Sequence, residues 1–262
     1  MTNGASITPQ TGGARRRFEG KSVLITGGAG GMGLAASRMF AAEGATVSVL
    51  DLNAEAGADL VAEMTAAGQD CFFQAVDLSK GANVSAAIDA VLAKRATIDV
   101  LFNHAGSIIV KPFHEMSEDE YDRLMDINVR SAFMVTQAVV RHMKDNGGGS
   151  IVITASIGSG KAFVYESLYC MTKSAVLMLS NCIAVEYREH GIRCNAVCPG
   201  FVKTAHGLRE IDELDGLGQE WQDADLAATQ VRICEPEEVA AAALFLASDE
   251  ASFVNGAALY VD

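Results

Sequence analysis

Residues 26–33, with the sequence TGGAGGMG, decide the fold of this 262-residue chain. They follow an apolar, β-branched run at 22–26 that reads as a buried strand, and they lead into a helix-forming run at 33–43. A glycine-rich loop in this setting lets backbone N–H groups and the positive end of the helix face a pyrophosphate. The stretch therefore predicts the first turn of a nucleotide-binding βαβ unit.

Short β-branched runs alternate with helical patterns along the rest of the chain. The predicted strands are residues 22–26, 46–51, 71–76, 99–103, 150–154, 193–197 and 257–260. The predicted helices are residues 33–43, 54–66, 81–95, 117–146, 165–190 and 235–247. This alternation is typical of a parallel sheet with helices on both faces. We therefore predict a single-domain α/β Rossmann fold, a doubly wound sheet of seven parallel strands.

Two segments fall outside this alternation. Residues 1–18 are rich in Gly, Ser, Thr and Gln, and they predict a flexible N-terminal tail before a domain at 19–262. Residues 204–230 are acidic and have no strand period. Because they follow the sixth strand, at the edge of the sheet where ligands bind, they predict a substrate lid. A solvated surface loop is the alternative.

Composition excludes several classes of partner. The net charge of −13 disfavours nucleic acid and anionic membranes, and we read no apolar run of the roughly 20 residues needed to span a bilayer. The six cysteines lack zinc-ligand spacing, so we predict no metal and reduced thiols, as in a cytoplasmic protein. They are Cys71, Cys170, Cys182, Cys194, Cys198 and Cys234.

Asp51 ends the second predicted strand, about 20 residues after the glycine loop, where a carboxylate accepts both hydrogens of an adenosine ribose diol. A 2′-phosphate there would meet like charge, so the sequence predicts NAD rather than NADP. Further cofactor contacts are expected at the loop and at the ends of strands. They are Gly27, Gly31, Met32, Gly33, Leu52, Asp77, Leu78, Asn103, Ala105 and Gly106. We interpret His104 as structural.

Tyr169 and Lys173 lie four residues apart on one predicted helix and therefore share a face. A phenol normally loses its proton near pH ~10, and an ammonium held within a few Å lowers that pKa. The pair is a candidate general acid/base for a hydroxyl proton.

Four motifs agree in order and spacing with a known family. They are the Thr26-Gly27-x-x-x-Gly31-x-Gly33 loop, Asn103-x-Ala105-Gly106, Ser156 thirteen residues before Tyr169 in Tyr-x-x-x-Lys173, and Pro199-Gly200. Asn128 completes a tetrad with Ser156, Tyr169 and Lys173. Over residues 20–261 the chain resembles the short-chain dehydrogenase/reductase family.

The resemblance implies a role for each tetrad residue. Tyr169 would exchange a proton with the substrate oxygen, and Ser156 would hold that oxygen. Lys173 would lower the Tyr169 pKa and bind the nicotinamide ribose, while Asn128, at a helix break between Asp126 and Arg130, would hold a water. The implied cofactor contacts also include Tyr169, Lys173, Pro199, Gly200, Val202 and Thr204, and the implied assembly is a homo-oligomer, a tetramer or dimer.

The family's substrate pocket lies around Ser156, Tyr169 and the segment after Gly200. Here Ile157, Phe163 and Phe201 would line it, and His206 would bond a polar group of the substrate. A mostly apolar lining suits a hydrophobic or cyclic secondary alcohol. We therefore expect an NAD-dependent oxidoreductase that interconverts a small-molecule secondary alcohol and its ketone.

Two alternatives stay open. One is a reductase of the 3-oxoacyl-[acyl-carrier-protein] type. Asp51 disfavours its usual NADPH, Met134 and Val185 stand where basic docking residues are expected, and the −13 charge would repel an acidic carrier. The other is a non-catalytic NAD-binding regulatory protein, since fold does not fix function. The complete tetrad argues against that second alternative.

Overall fold

The computed structural model describes residues 16–218 and 230–262. Its seven strands form one parallel sheet in the order β3-β2-β1-β4-β5-β6-β7. Their bounds are β1 Ser22–Thr26, β2 Thr46–Asp51, β3 Cys71–Ala75, β4 Val100–Asn103, β5 Gly149–Thr154, β6 Ile192–Pro199 and β7 Ala258–Val261. The doubly wound seven-stranded fold is confirmed.

Eight α-helices are described, and they cover both faces of the sheet. They are α1 Gly31–Ala42, α2 Ala54–Ala66, α3 Gly81–Arg95, α4 Glu118–Met125, α5 Ser131–Asp145, α6 Ser167–Glu186, α7 Ala205–Gly216 and α8 Pro236–Ala247. Helices α1, α2 and α8 share one core cluster, whereas α3, α5 and α6 share the other. Alternation along β1 explains this division, because Val23 and Ile25 enter the first cluster and Leu24 enters the second.

The strand order places the ligand edge of the sheet. β1 pairs with β2 on one side and with β4 on the other, so Thr26 lies beside both Leu50 and Asn103. The chain reverses its winding direction between these neighbours, and in open α/β sheets the crevice at such a switch point binds ligands. The glycine loop after Thr26 therefore lies at the switch point.

Two predicted helices are interrupted. The predicted helix at 117–146 forms α4 and α5, joined by a π-helical turn at Asp126–Arg130, which matches the expected break. The predicted helix at 165–190 forms α6, which begins at Ser167 and ends at Glu186. Its last residues instead form a short 3₁₀ turn, Arg188–His190, and Gly191 adopts the left-handed conformation that ends it.

The N-terminal boundary of the domain lies earlier than the sequence indicated. Phe18 is buried and packs edge-on against Phe40, and Arg17 donates to both carboxylate oxygens of Glu43. The expected flexible tail at 1–18 is therefore wrong for its last residues, because an aromatic side chain and an ion pair fasten them to the fold. Residues 1–15 lie outside the described part.

The predicted lid at 204–230 is only partly described. Its first half forms α7, capped by the Thr204 hydroxyl, which accepts from Gly207 N at 3.0 Å. At its base Val202 and Cys234 form a β-bridge, and the amide of Gln230 bonds both N and O of Phe201. Residues 219–229 of the lid lie outside the described residues.

Helix α6 changes one expectation about composition. By length and mean hydropathy of 1.4 it could cross a membrane, and 33% of its apolar window is buried. Our reading that no apolar run is long enough was therefore wrong. The helix nevertheless packs on β5 and β6. Core helices of globular proteins meet the same criteria, so this alone is weak evidence for a membrane span.

A half-buried arginine, Arg193, caps the C-terminal end of helix α8. The guanidinium of Arg193 on β6 donates to the carbonyls of Leu246, Ala247, Ser248 and Val254 at 2.8–3.3 Å. The last carbonyls of a helix have no partner within it, so this one side chain satisfies several of them. It also joins the helix to the sheet.

Arg193→Met should lower the free energy of unfolding by about 2–4 kcal/mol, because several buried carbonyls lose a charged donor. Urea denaturation followed by circular dichroism measures this change. Arg188→Met, at an exposed arginine, should stay within about 0.5 kcal/mol of the parent. An equal change in the free energy of unfolding for both substitutions would contradict the role of Arg193 as the cap of α8.

Candidate active site

The glycine loop brings backbone close to backbone. Gly27 has φ +68°, and a Cβ there would lie 2.9 Å from Ala105 Cα. A Cβ on Gly33 would lie 2.0 Å from the Gly27 carbonyl oxygen, so α1 can begin here only with glycine. Within the described part of the chain, no side chain caps α1 at Gly30, and its first turn holds no acidic residue. Its N–H groups therefore suit a pyrophosphate, which is the fit expected for a dinucleotide.

A threonine hydroxyl organises the neighbouring strand end. Thr26 Oγ1 donates to Asn103 Oδ1 at 3.0 Å and accepts from the N–H groups of His104 and Ala105 at 2.9 and 3.1 Å. The amide of Asn103 in turn donates to Ala132 O and Thr136 Oγ1. We expected Asn103 to contact the cofactor, but its side chain is buried against α5. Its contribution is to hold the loop in place.

Asp51 supports the glycine loop from the second strand. Its Oδ2 accepts from Ala29 N and its Oδ1 from Asn53 N, both at 3.0 Å. The exposed Leu52 follows it at the mouth of the cavity. The carboxylate is thus oriented by backbone and remains half-exposed to the cavity.

A cavity of about 950 Å³ runs along the carboxyl edge of the sheet. This lies at the upper end of the roughly 300–1,000 Å³ typical of small-molecule sites. Most predicted cofactor residues line it, namely Gly27, Gly31, Met32, Asp51, Leu52, Asp77, Leu78, Ala105, Gly106, Tyr169, Lys173, Pro199, Gly200, Val202 and Thr204. Gly33 lies behind the loop, in contact with Gly27.

The predicted substrate residues divide into two groups. Tyr169 and His206 line the cavity. Ile157 and Phe201 are buried, and Phe163 packs edge-on against Phe201 at 6.4 Å. None of these three apolar side chains is among the described residues that line the cavity.

Tyr169, Ser156 and Lys173 meet at the inner end of the cavity. The Ser156 hydroxyl lies near the Tyr169 hydroxyl and lowers its pKa, and Ser156 Oγ accepts from Gly158 N at 3.0 Å. The Lys173 ammonium lies 5.7 Å from the centre of the Tyr169 ring and donates to Thr154 O at 2.9 Å. Helix α6 and the end of β5 together hold this group.

Burial controls the ionisation of this group. It raises the pKa of Tyr169 above the ordinary phenol value, and the nearby carboxylate of Glu210 raises it further, while the Ser156 hydrogen bond lowers it. Burial also lowers the pKa of Lys173 to about 8. In the protein alone the net shift of the Tyr169 pKa is upward, because desolvation is the largest cause. The lowering of this pKa by Lys173 stays a prediction.

Asn128 occupies the π-helical turn between α4 and α5, as turns of this kind often do at functional sites. Its Oδ1 accepts from Ser107 N at 2.7 Å, and its Nδ2 donates to Ser107 O and Thr172 Oγ1. A Cβ on Gly106 would touch both Asn128 Oδ1 and Lys173 Nζ, at 3.2 and 3.4 Å. Asn128 thus lies close to the ammonium, and the water assigned to it stays a prediction.

Some cavity residues were not identified from the sequence. Thr154 contributes a backbone carbonyl, which no side-chain pattern signals. Glu210 on α7 lines the cavity together with His206. Because Glu210 follows His206 by four residues, the two share one face of the helix, and this spacing could have identified Glu210 from the sequence. His104 also lines the cavity, and burial lowers its pKa to about 3, so it is neutral and bonded to Thr154 Oγ1. Among the described residues no cluster of His, Cys, Asp and Glu is arranged to hold a metal ion.

Comparisons with known proteins agree over nearly the whole chain. A family model described as enoyl-(acyl carrier protein) reductase matches residues 27–262. Cyclopentanol dehydrogenase of Comamonas testosteroni is 39% identical over 251 residues, which are 94% of this chain and 97% of that protein. D-threitol dehydrogenase of Mycolicibacterium smegmatis is 36% identical over 246 residues, 94% of this chain and 93% of that protein.

The fold agrees with solved structures as well. The crystal structure of levodione reductase superposes with a TM-score of 0.87 at 34% identity, over 94% of this chain and 97% of that one. Sequence similarity and fold thus agree. This chain belongs to the short-chain dehydrogenase/reductase family, oxidoreductases that act on CH–OH groups with NAD or NADP.

Proposed function

We propose that this protein interconverts a secondary alcohol and its ketone with NAD, with Tyr169 as the general acid/base. The observation that carries the proposal is the group of Tyr169, the neighbouring Ser156 and the buried ammonium of Lys173, at the wall of a cavity that fits a dinucleotide. Relatives that are named cyclopentanol and D-threitol dehydrogenases support a small secondary alcohol as substrate.

We assign each part of NAD to a set of residues that line the cavity. Asp51 would bind the adenosine ribose, and Leu52, Asp77 and Leu78 the adenine. The backbone of Gly31 and Met32 would face the pyrophosphate. Lys173, Pro199, Gly200, Val202 and Thr204 would surround the nicotinamide end, with Gly27, Ala105 and Gly106 leaving room along the path. Bound NAD supplies the hydride acceptor.

The chain itself manages one proton. In oxidation the alcohol O–H proton moves to the Tyr169 oxygen, which must first have lost its own, and Ser156 holds the substrate oxygen. In reduction the protonated phenol donates to the ketone oxygen. Because burial raises the Tyr169 pKa, the free protein holds the phenol in its acid form at neutral pH. The ammonium of Lys173 stabilises the phenolate when it forms.

A carrier-protein substrate is the second candidate, since the matching family model carries that description. The charge of −13 opposes it, because an acidic carrier would be repelled. Val185 is exposed on α6 where a basic docking residue is expected, and Met134 is packed against the core. We therefore favour a free small alcohol. A non-catalytic NAD-binding protein would not need Ser156 beside Tyr169.

Helix α6 also supports an oligomer. Met171, Met178 and Val185 are exposed and recur every seven residues, so they form one apolar stripe on the outer face of the helix. Such stripes are covered in stable proteins. We propose a homo-oligomer, a tetramer or dimer, that buries this stripe instead of a membrane doing so. The six free thiols are consistent with a cytoplasmic location.

Tyr169→Phe should lower kcat for alcohol oxidation by about 10²–10⁴-fold, the usual effect of removing a general acid/base. Formation of reduced cofactor, followed by absorbance in a screen of secondary alcohols that includes cyclopentanol and D-threitol, measures it. Tyr187→Phe, at the other end of α6, is the matched control and should keep the parent rate. A Tyr169→Phe variant as fast as the parent would sink the assignment.

Asp51→Asn should lower kcat/KM for NAD by about ten- to a hundredfold and raise the ratio of NADP to NAD use, because a charged acceptor is lost and the repulsion of a 2′-phosphate disappears. Steady-state kinetics with both cofactors measures the ratio. Asp77→Asn makes the same charge change in the same cavity and should leave the ratio unchanged. A parent protein that uses both cofactors equally well would contradict the assignment of Asp51.

Oligomer formation can be tested at the middle of the stripe. Met178→Glu should shift the protein towards monomers, because it places charge in an apolar contact. Light scattering after gel filtration gives the molar mass. Met178→Leu keeps the surface apolar and should retain the parent mass. A parent protein that is already monomeric at micromolar concentration would refute the oligomer.

A further inference from the structure

Helix α7 presents a polar face to the cavity. His206 and Glu210 lie four residues apart on this helix, and both line the cavity together with Tyr169 and Lys173. Burial, followed by the charges of Lys173 and Arg209, lowers the pKa of His206 to about 4, so His206 is neutral. The predicted apolar substrate residues Ile157, Phe163 and Phe201 are not among the described residues that line the cavity. The substrate therefore meets polar atoms on the α7 side.

Glu210 does not stand alone. Its carboxyl group lies near that of Glu166, the residue that precedes α6 and is 2% exposed. Burial raises the pKa of both groups, and two neighbouring carboxylates are costly to ionise together, so the pair favours a shared proton. Oε1 of Glu166 is enclosed and has no hydrogen-bond partner among the described residues.

The backbone holds Glu166 in this place. Tyr165, just before it, adopts the left-handed conformation with φ +63°, which is unfavourable for a residue with a side chain. The Tyr165 carbonyl accepts from Lys111 N at 2.8 Å. Glu166 is therefore rigidly placed, and it positions Glu210 at the edge of the cavity.

We propose that Glu210, positioned by Glu166, binds a second hydroxyl of the substrate, so that the preferred substrate is a secondary alcohol with a neighbouring hydroxyl, a diol or polyol. The Glu210 carboxyl group has two oxygens, and Glu166 can engage only part of their hydrogen-bonding capacity. A bound alcohol that is otherwise apolar would exclude water from the remaining capacity without offering a donor, whereas a second hydroxyl would supply one. This inference rests on the proposed function and names its substrate class.

The charges around the cavity favour a hydroxyl over an ammonium as that donor. Lys173 is a buried ammonium in the same cavity, and it already disfavours positive charge on His206 and His104. Arg209 adds to this effect at His206. A substrate ammonium would meet the same repulsion, whereas a neutral hydroxyl donates to Glu210 without it.

The test compares cyclopentanol with cis-1,2-cyclopentanediol, which share one ring and differ by one hydroxyl. With NAD, the parent protein should oxidise the diol with a kcat/KM at least about tenfold higher. Glu210→Ala should raise KM for the diol by about ten- to a hundredfold and should change KM for cyclopentanol by less than about threefold, while its effect on the Tyr169 pKa acts on kcat for both substrates alike.

Three further measurements separate binding from a structural effect. Glu213→Ala, at an exposed residue one turn along α7, should leave both substrates unchanged. Glu166→Gln should keep the preference for the diol, because the Gln amide donates to Glu210 in place of the shared proton. The diol should raise the melting temperature of the NAD-bound parent but not of NAD-bound Glu210→Ala.

Several results would overturn the inference. An equal rise in KM for both substrates in Glu210→Ala would mean that Glu210 does not bind the second hydroxyl and only packs α7 against α6. A parent that prefers cyclopentanol, or that prefers 2-aminocyclopentanol to the diol, would exclude the hydroxyl. If the parent oxidises cyclopentanol but Glu210→Ala leaves diol kinetics unchanged, the inference alone fails. If the parent oxidises neither, the proposed function fails and takes the inference with it.

Discussion

The hydrogen bond from the buried ammonium of Lys173 to the carbonyl of Thr154 is the contact on which the site depends. It fastens α6 to the end of β5, and since Tyr169 lies one turn earlier on α6, it also places the phenol at the cavity. Asn128 approaches the same ammonium from the π-helical turn. The end of β5, helix α6 and the π-helical turn thus meet around the Lys173 ammonium. A buried charge is costly, and the hydrogen bond to Thr154 O stabilises it.

Local sequence patterns predicted the sheet and the position of the site well. Burial of the strands requires apolar, β-branched residues, and the close backbone approaches at Gly27 and Gly33 require glycine. Both requirements are visible in a single sequence. Spacing indicated the Tyr169/Lys173 pair, and the family resemblance added Ser156 and Asn128. The helix break at Asn128 was expected from that resemblance, and the structure has a π-helical turn there.

Long-range contacts were not predictable in the same way. The role of Asn103 depends on α5, which is distant in sequence, and the burial of Phe201 depends on Gln230 and Cys234. The sign of the Tyr169 pKa shift also depends on how deeply the fold buries the phenol. Spacing alone indicates that a lysine is near, but it does not show the desolvation that opposes it.

The raised pKa of Tyr169 favours proton transfer in the direction of ketone reduction. A phenol whose pKa is raised is ready to donate a proton to a ketone, while oxidation requires its deprotonation first. The oxidation rate should therefore rise with pH until the phenol is ionised. A charged Glu210 raises the Tyr169 pKa, so it should shift this rise to higher pH. Substrate recognition by α7 and proton transfer by α6 are in this way electrostatically linked.

The central claim is that the alcohol proton passes to the Tyr169 oxygen. The most direct measurement is the pH profile of kcat/KM for oxidation when Tyr169 is replaced by 3-fluorotyrosine, whose phenol has a lower pKa and nearly the same shape. The account predicts that the rising limb of the profile shifts to lower pH by the difference between the two phenols. A profile that keeps the parent's position would show that another group takes the proton.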